Sequence, residues 1–113
     1  PELLVSHGFG DRFSILQNNS VPGIITLNNL GTIVTSQYNR GLSIADFNLD
    51  GKNDIVWKRS GTSSVYIRLN NNSGGALAPT DFVTEVVLTG DLGAYGGMSI
   101  ADINGDGKPD ITV

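Results

Sequence analysis

The sequence predicts an all-β protein made of about two four-stranded blades of a β-propeller. Three observations predict it. Short, β-prone apolar runs recur along the chain, with no long helical periodicity. A nine-residue stretch rich in Asp and Asn, residues 46–54, returns fifty-six positions later as residues 102–110. The polar turns between the runs come in the same order in both periods, giving four short strands per period, as propeller blades do.

Taken in order, Glu2-Leu3-Leu4-Val5-Ser6 reads as a strand, followed by the glycine-rich turn His7-Gly8-Phe9-Gly10-Asp11. Arg12 to Gln17 is a second strand, closed by the polar Asn18-Asn19-Ser20 and Val21-Pro22-Gly23. Ile24 to Leu27 fits strand or loop, Asn28-Asn29 is expected to break it, and Thr32 to Gln37 is a third strand. Gly41 to Ala45 leads into the first Asp-rich loop, and Ile55 to Lys58 leaves it. The second round runs through the turn Ser60-Gly61-Thr62-Ser63, the alternating strand Val65 to Leu69, the loop Asn70 to Gly75 and an outer strand Phe82 to Leu88. Gly97 to Ala101, the second Asp-rich loop and Ile111 to Val113 follow. This order divides the chain into an incomplete first blade (1–40, strands two to four), a complete second blade (41–96) and the start of a further blade (97–113). The phase of the ends, Pro1 to Val5 resembling Pro109 to Val113, suggests a cut within a blade.

The two Asp-rich loops carry the chemistry. Side-chain oxygens stand at loop positions 1, 3, 5 and 9, with Gly at position 6. Alternate residues of a tightly curled loop turn their oxygens to one centre, and Gly permits the curl. Hard oxygen donors without Cys or His suit Ca²⁺ better than zinc or copper. The spacing assigns Asp46, Asn48, Asp50, Asp54 and the Lys52 carbonyl to one ion. Asp102, Asn104, Asp106, Asp110 and the Lys108 carbonyl are assigned to a second, giving two Ca²⁺ per chain. An EF-hand would need a Glu at position 12 and a following helix. Position 12 is Trp57 in one loop and Val113 in the other, and β-prone residues follow both.

Composition narrows the alternatives. The chain of 113 residues carries a net charge of −4, and the loop aspartates are six of its eleven acidic residues. Outside the loops, five acids face seven basic residues, so the acidity is local to the loops. No basic stripe points to nucleic acid. No apolar run is long enough to span a bilayer. Cys is absent, which excludes a disulfide framework. His7 is the only histidine and reads as a solvated turn residue, so no His-based catalytic pair forms within one chain. The serines lack a nucleophile elbow. No catalytic constellation is found, and a non-enzyme is expected.

Ser43-Ile44-Ala45-Asp46 to Asp54-Ile55-Val56, and Ser99 to Val113, resemble FG-GAP/VCBS repeats, the calcium-loop blades of integrin α-subunit propellers and of many secreted microbial proteins. Leu69 to Gly75 resembles the polar stretch after the third strand of such repeats. Gly8-Phe9-Gly10 with Phe13-Ser14-Ile15-Leu16 is similar to blades of a seven-bladed fungal lectin family. The resemblance implies a seven-bladed, occasionally six- or eight-bladed, propeller whose mostly structural calcium ions brace the turns between first and second strands. It also implies ligands bound on faces or between blades.

The expected function is therefore a calcium-binding, non-catalytic module for extracellular recognition of carbohydrate or protein, as in a lectin or in cell adhesion. The alternative is the propeller portion of a secreted polysaccharide-degrading enzyme. Tyr38 and Tyr95, beside glycine-rich approaches to inner strands, are the candidate ligand-contacting residues. Trp57 and Tyr66 are expected in the core. Arg40, Lys58, Arg59 and Arg68 are expected on solvated faces and turns. Two blades cannot close a ring. Closure is expected by head-to-tail association into a trimer or tetramer, or by the remainder of a longer propeller.

Overall fold

The computed structural model describes residues 2–7, 10–35, 38–93 and 96–113. Parts of the expected Gly8-Phe9-Gly10 turn and all of Tyr95 lie outside them. Among the described residues there are nine strands in three antiparallel sheets and no α-helix. The first sheet holds β1 (Leu3–Ser6), β2 (Arg12–Asn18) and β3 (Leu27–Val34). The second holds β4 (Asn39–Ala45), β5 (Asp54–Arg59), β6 (Ser64–Leu69) and β7 (Thr84–Thr89), paired in chain order. The third is the pair β8 (Ser99–Ala101) and β9 (Asp110–Thr112). The all-β reading holds.

Side-chain alternation explains the packing. Successive residues of a strand point to opposite faces. On β5, Ile55 and Trp57 join Phe13, Ile15 and Ile33 of the first sheet and Phe82 in one buried cluster. Val56, between them, joins Val65 and Ile67 on the other face, against Met98 and against Ile100 and Ile111 of the third sheet. The second sheet is thus covered on both faces, which is why β5 reads as a continuous apolar run rather than an alternating one. Trp57 is 1% exposed. Its ring meets Phe13 edge-on at 5.2 Å and stacks on Tyr66 at 5.5 Å. Truncating a buried aromatic of this kind costs about 3–5 kcal/mol. Trp57 and Tyr66 are core residues, as the sequence suggests. β7, at the edge, is exposed along its whole length.

Four local expectations change. Asn28-Asn29 does not break a strand. β3 runs through it, and a register shift opposite Ile15/Leu16 absorbs Leu30 as a bulge. Gly31, at φ +127°, makes this possible, because a Cβ there would stand 2.9 Å from Pro79 Cγ. The outer strand starts at Thr84 rather than Phe82, because a 3₁₀ turn, Pro79–Asp81, precedes it and buries Phe82 in the core. Lys58 is not solvated but 1% exposed, and its Nζ donates to the Leu92 carbonyl at 2.6 Å. That bond ties β5 to the connection between the second and third sheets. His7 is exposed, yet its ring is not merely solvated: Nε2 lies 2.8 Å from Ser14 Oγ. Arg68 keeps the expected strand-face role, pairing with Glu85 at 3.0 Å and lying over the Trp57 ring.

Candidate metal centres

Each Asp-rich loop joins two paired strands. The first links β4 to β5, where Ala45 pairs with Asp54, and the second links β8 to β9, where Ala101 pairs with Asp110. Position 9 of each loop is therefore already in a strand, while positions 1 to 8 form the curl.

The first loop curls around Asp46. Its Oδ1 accepts from the Asp50 amide at 3.1 Å and its Oδ2 from the Gly51 amide at 2.7 Å. Asn48 Oδ1 also accepts from the Asp50 amide, at 3.2 Å, and Asp50 Oδ1 accepts from the Lys52 amide at 2.9 Å. Gly51 takes φ +85°, a conformation that L side chains rarely adopt. Asp54 is 0% exposed. Its Oδ2 accepts from the Phe47 amide at 2.9 Å and its Oδ1 from the Asn70 amide at 2.8 Å.

The second loop repeats this pattern. Asp102 Oδ1 accepts from the amides of Gly105 at 2.7 Å and Asp106 at 3.1 Å, and Oδ2 from that of Gly107 at 2.8 Å. Asn104 Oδ1 accepts from the Asp106 amide at 3.0 Å, and Asp106 Oδ1 from the Lys108 amide at 2.9 Å. Asp110 Oδ2 accepts from the Ile103 amide at 2.9 Å.

These bonds bring positions 1, 3 and 5 of each loop around a shared set of amides. They do not bring the acidic side chains into one cluster: among the described residues no three Asp, Glu or His side chains are grouped closely enough to hold a metal ion. The donor chemistry nevertheless fits a hard cation. Every candidate side-chain donor is a carboxylate or amide oxygen, and an ionised carboxylate that accepts one or two N–H bonds keeps further lone pairs. Asp54 has no salt-bridge partner among the described residues, although it is fully buried. The nearest basic groups in the loops, Lys52 Nζ and Lys108 Nζ, stand 3.8 and 3.9 Å from Asp50 and Asp106. Each ammonium thus pairs with a candidate carboxylate, and an ammonium cannot ligate a cation, so only the lysine carbonyls belong to the candidate ligand set.

An asparagine network supports the first loop. Asn70 Nδ2 donates to the Asn53 carbonyl at 3.1 Å, and Asn70 Oδ1 accepts from the Asn72 amide at 3.0 Å. Asn72 Nδ2 in turn donates to Asp81 Oδ2 at 2.8 Å, which also accepts from the Ala78 amide at 2.8 Å. The Asn72 hydrogen bond first, and the Ala78 amide second, hold the Asp81 carboxyl below its ordinary value. The sequence marks Asn70 to Gly75 only as a polar loop. The repeated Asn is the signal for the chain of side-chain turns it builds.

Tyr38 precedes β4 at the end away from the loop. It is 58% exposed, and its carbonyl accepts from the Ser60 amide at 2.9 Å. A groove of about 360 Å³ lies between the first and second sheets, lined by Gln17, Ile44, Asn53, Asn70, Leu77 and Phe82 among others. Tyr38 does not line it.

The repeated strand–loop–strand unit decides the family. The model of the FG-GAP-like repeat matches residues 46–113, more than half of the chain. The chain belongs to the FG-GAP-like repeat family. Its match begins at Asp46, the first residue of the first loop, and takes in both loops. An FG-GAP-like repeat is a β-propeller-type module, and the antiparallel sheets agree with blade-like β structure. Neither a curated protein nor a solved structure matches the chain. Among the described residues no helix of this FG-GAP-like chain is long and apolar enough to cross a membrane.

Proposed function

We propose that the chain is a calcium-stabilised, non-catalytic propeller module that works in extracellular recognition. The observation that carries this reading is the duplicated loop, in which the same oxygens at positions 1, 3 and 5 accept from the same backbone amides. Asp46, Asn48, Asp50, Asp54 and the Lys52 carbonyl would hold one Ca²⁺. Asp102, Asn104, Asp106, Asp110 and the Lys108 carbonyl would hold the other. The ions would neutralise loops that carry three carboxylates each. Extracellular modules use calcium sites with dissociation constants of roughly 10⁻⁴–10⁻³ M, which is why weak sites of this kind would suit that compartment.

In this reading the sheets are blades, divided near residues 40 and 96. Residues 1–40 supply three strands, 41–96 a complete blade, and 97–113 the first two strands of another. The ring is closed by further blades, from copies of the chain in a trimer or tetramer or from a longer chain. The open face of the first sheet supports this, since Leu3 and Val5 are 47% and 38% exposed there.

Carbohydrate or protein is the ligand class. The groove between the first two sheets supports it: amides of Gln17, Asn53 and Asn70 stand beside an apolar floor of Ile44, Leu77 and Phe82. That mixture suits a ligand with polar edges and an apolar face. Tyr38 supplies an exposed ring at the other end of the second sheet, and Tyr95 is kept as a second candidate.

Calorimetric titration of chelator-treated, folded protein with CaCl₂ tests the reading. Two ions per chain are expected, and no heat of binding would refute it. A glycan array probed with and without calcium then separates carbohydrate from protein recognition. Turnover of a polysaccharide by the folded module would move the reading to the enzyme alternative.

A further inference from the structure

The sequence contains two Asn-x-Ser triplets without Pro at the middle position, Asn18-Asn19-Ser20 and Asn71-Asn72-Ser73. Such triplets are acceptors for N-linked glycans when they stand on the surface of a secreted protein. Both triplets meet the surface condition. Asn18, Asn19 and Ser20 are exposed, as are Asn71 and Ser73. The first starts at the last residue of β2 and runs into the connection to β3, and the second lies in the connection from β6 to β7. The two loops start alike. Asn18 Oδ1 accepts from the Ser20 amide at 3.0 Å, as Asn70 Oδ1 accepts from the Asn72 amide at 3.0 Å. The acceptor Asn71 thus stands one residue further along the same turn than Asn18.

We infer that Asn18 and Asn71 are N-glycosylation sites. This rests on the extracellular reading above and adds a covalent modification to it. In the transfer, the side-chain Nδ2 attacks the anomeric carbon of a lipid-diphosphate-linked oligosaccharide. The C1–N bond forms, the C1–O bond to the diphosphate breaks, and Nδ2 gives up one proton as the lipid diphosphate leaves.

The fold tolerates a glycan at both positions. Neither asparagine belongs to the two buried clusters that join the sheets. Asn18 ends β2 opposite Leu27, and Asn71 follows the pair Leu69–Thr84, so both stand at the end of the sheets that carries the first Asp-rich loop, where Ala45 pairs with Asp54. Gln17, Asn53 and Asn70 line one groove, which places this end of the first sheet beside the same end of the second. The glycans would therefore gather at the loop end. The opposite end, with Tyr38 and the turn after Arg59, stays uncovered. The two acceptors also differ. Asn71 Nδ2 donates to Thr84 Oγ1 at 3.0 Å, whereas the bond of Asn18 uses only its Oδ1.

The test is the full chain led through a yeast secretory pathway by a cleavable signal peptide. Peptide mass spectrometry is run on secreted and cell-retained protein, before and after an amidase that cleaves N-glycans. The expected result is enzyme-sensitive glycan on both asparagines. Asn18→Gln and Asn71→Gln should each remove one glycan, Ser20→Ala should remove the one on Asn18, and Ser20→Thr should keep it. Bare peptide at either asparagine in the unmutated chain overturns the assignment of that site. Glycan persisting at the same loop after Asn→Gln overturns it as well. Calcium titration of unglycosylated protein from bacteria is a separate readout: bare asparagines with calcium binding intact would sink this inference alone.

Discussion

The two Asp-rich loops have nearly the same internal bonds but different surroundings. In the first, the last aspartate, Asp54, is fully buried and holds two amides, that of Phe47 within the loop and that of Asn70 sixteen residues on. In the second, Asp110 is partly exposed and holds one, that of Ile103. The loops also differ at position 4. Gly105 takes φ +80° and donates its amide to Asp102, whereas Leu49 takes φ +60° with a side chain to accommodate. The first loop is thus better supported from outside and more strained inside. The short motif sets the curl, and the neighbouring strands decide how firmly it is held.

The largest break in this comparison should come from the last aspartates. Asp54→Ala leaves two amides without their acceptor at a buried site, at a cost of roughly 1–3 kcal/mol for each unsatisfied group. Asp110→Ala leaves one, at a more exposed site, and should cost roughly 1 kcal/mol. Urea unfolding of both variants without calcium measures the difference. Equal losses would mean that Asn70 contributes nothing to the first loop.

Calcium sharpens the comparison next. An ion that binds only the folded chain stabilises it by about 2.7 kcal/mol at one hundred times its dissociation constant. Asp50→Ala removes a charged ligand, so the stoichiometry should fall from two ions to one, with the second loop's affinity unchanged. Asn48→Ala, which removes a neutral donor, should weaken the first site less. Titration calorimetry of the two variants checks both statements. Loss of both sites in Asp50→Ala would show that the loops are not independent.

Position 4 gives a smaller effect. A left-handed conformation costs an L residue about 1–2 kcal/mol relative to the right-handed one, and Gly is free of that cost but loses more entropy on folding. Leu49→Gly should therefore raise stability by roughly 0.5–1 kcal/mol. Gly105→Leu should lower it by a similar amount or more, since the side chain would meet a backbone that Gly alone adopts easily. The shift in denaturant midpoint at unchanged slope is the readout.

Much of this was legible in the sequence, for identifiable reasons. The loop signal is local: oxygens at fixed spacing, a Gly at position 6 and β-prone residues on either side define strand, loop and strand without tertiary help. The apolar run Ile55-Val56-Trp57 is legible as the strand that leaves the first loop, whereas the covering of both its faces is seen only in the packing. What was not legible depends on contacts distant in sequence. β3 passes through Asn28-Asn29 because β2 pairs with it and a bulge absorbs the extra residue. Lys58 is buried because a carbonyl thirty-four residues on accepts its ammonium. Phe82 leaves the outer strand because Pro79–Asp81 turns the chain into the core. The support of Asp54 by Asn70 is of the same kind: each residue looks ordinary alone, and the fold makes them partners.

The smallest expected effect follows that support outward to Asp81. Its carboxylate accepts from Asn72 Nδ2 and the Ala78 amide, and its carbonyl accepts from the Asn71 amide at 2.9 Å. The side-chain bonds hold the carboxyl below its ordinary value of 3.8. A carboxyl with a depressed folded value contributes stability that is present above the unfolded value and lost as pH falls through the folded one. Asp81 should therefore support the Asn70–Phe82 segment at neutral pH and release it only below pH 3.8. Asp81→Asn removes the charge at every pH, so the difference between native and variant protein should be present at neutral pH and vanish in acid. That difference is the informative quantity, not either protein's raw acid sensitivity. Amide exchange at Asn70, Asn72 and Ala78 should report it, with a fainter echo at Phe47 through Asp54. Asp106 and Gly107, in the second loop, should show none. If their exchange changes as much as that of Asn72, the two loops share a support that the contacts of Asp81 do not explain.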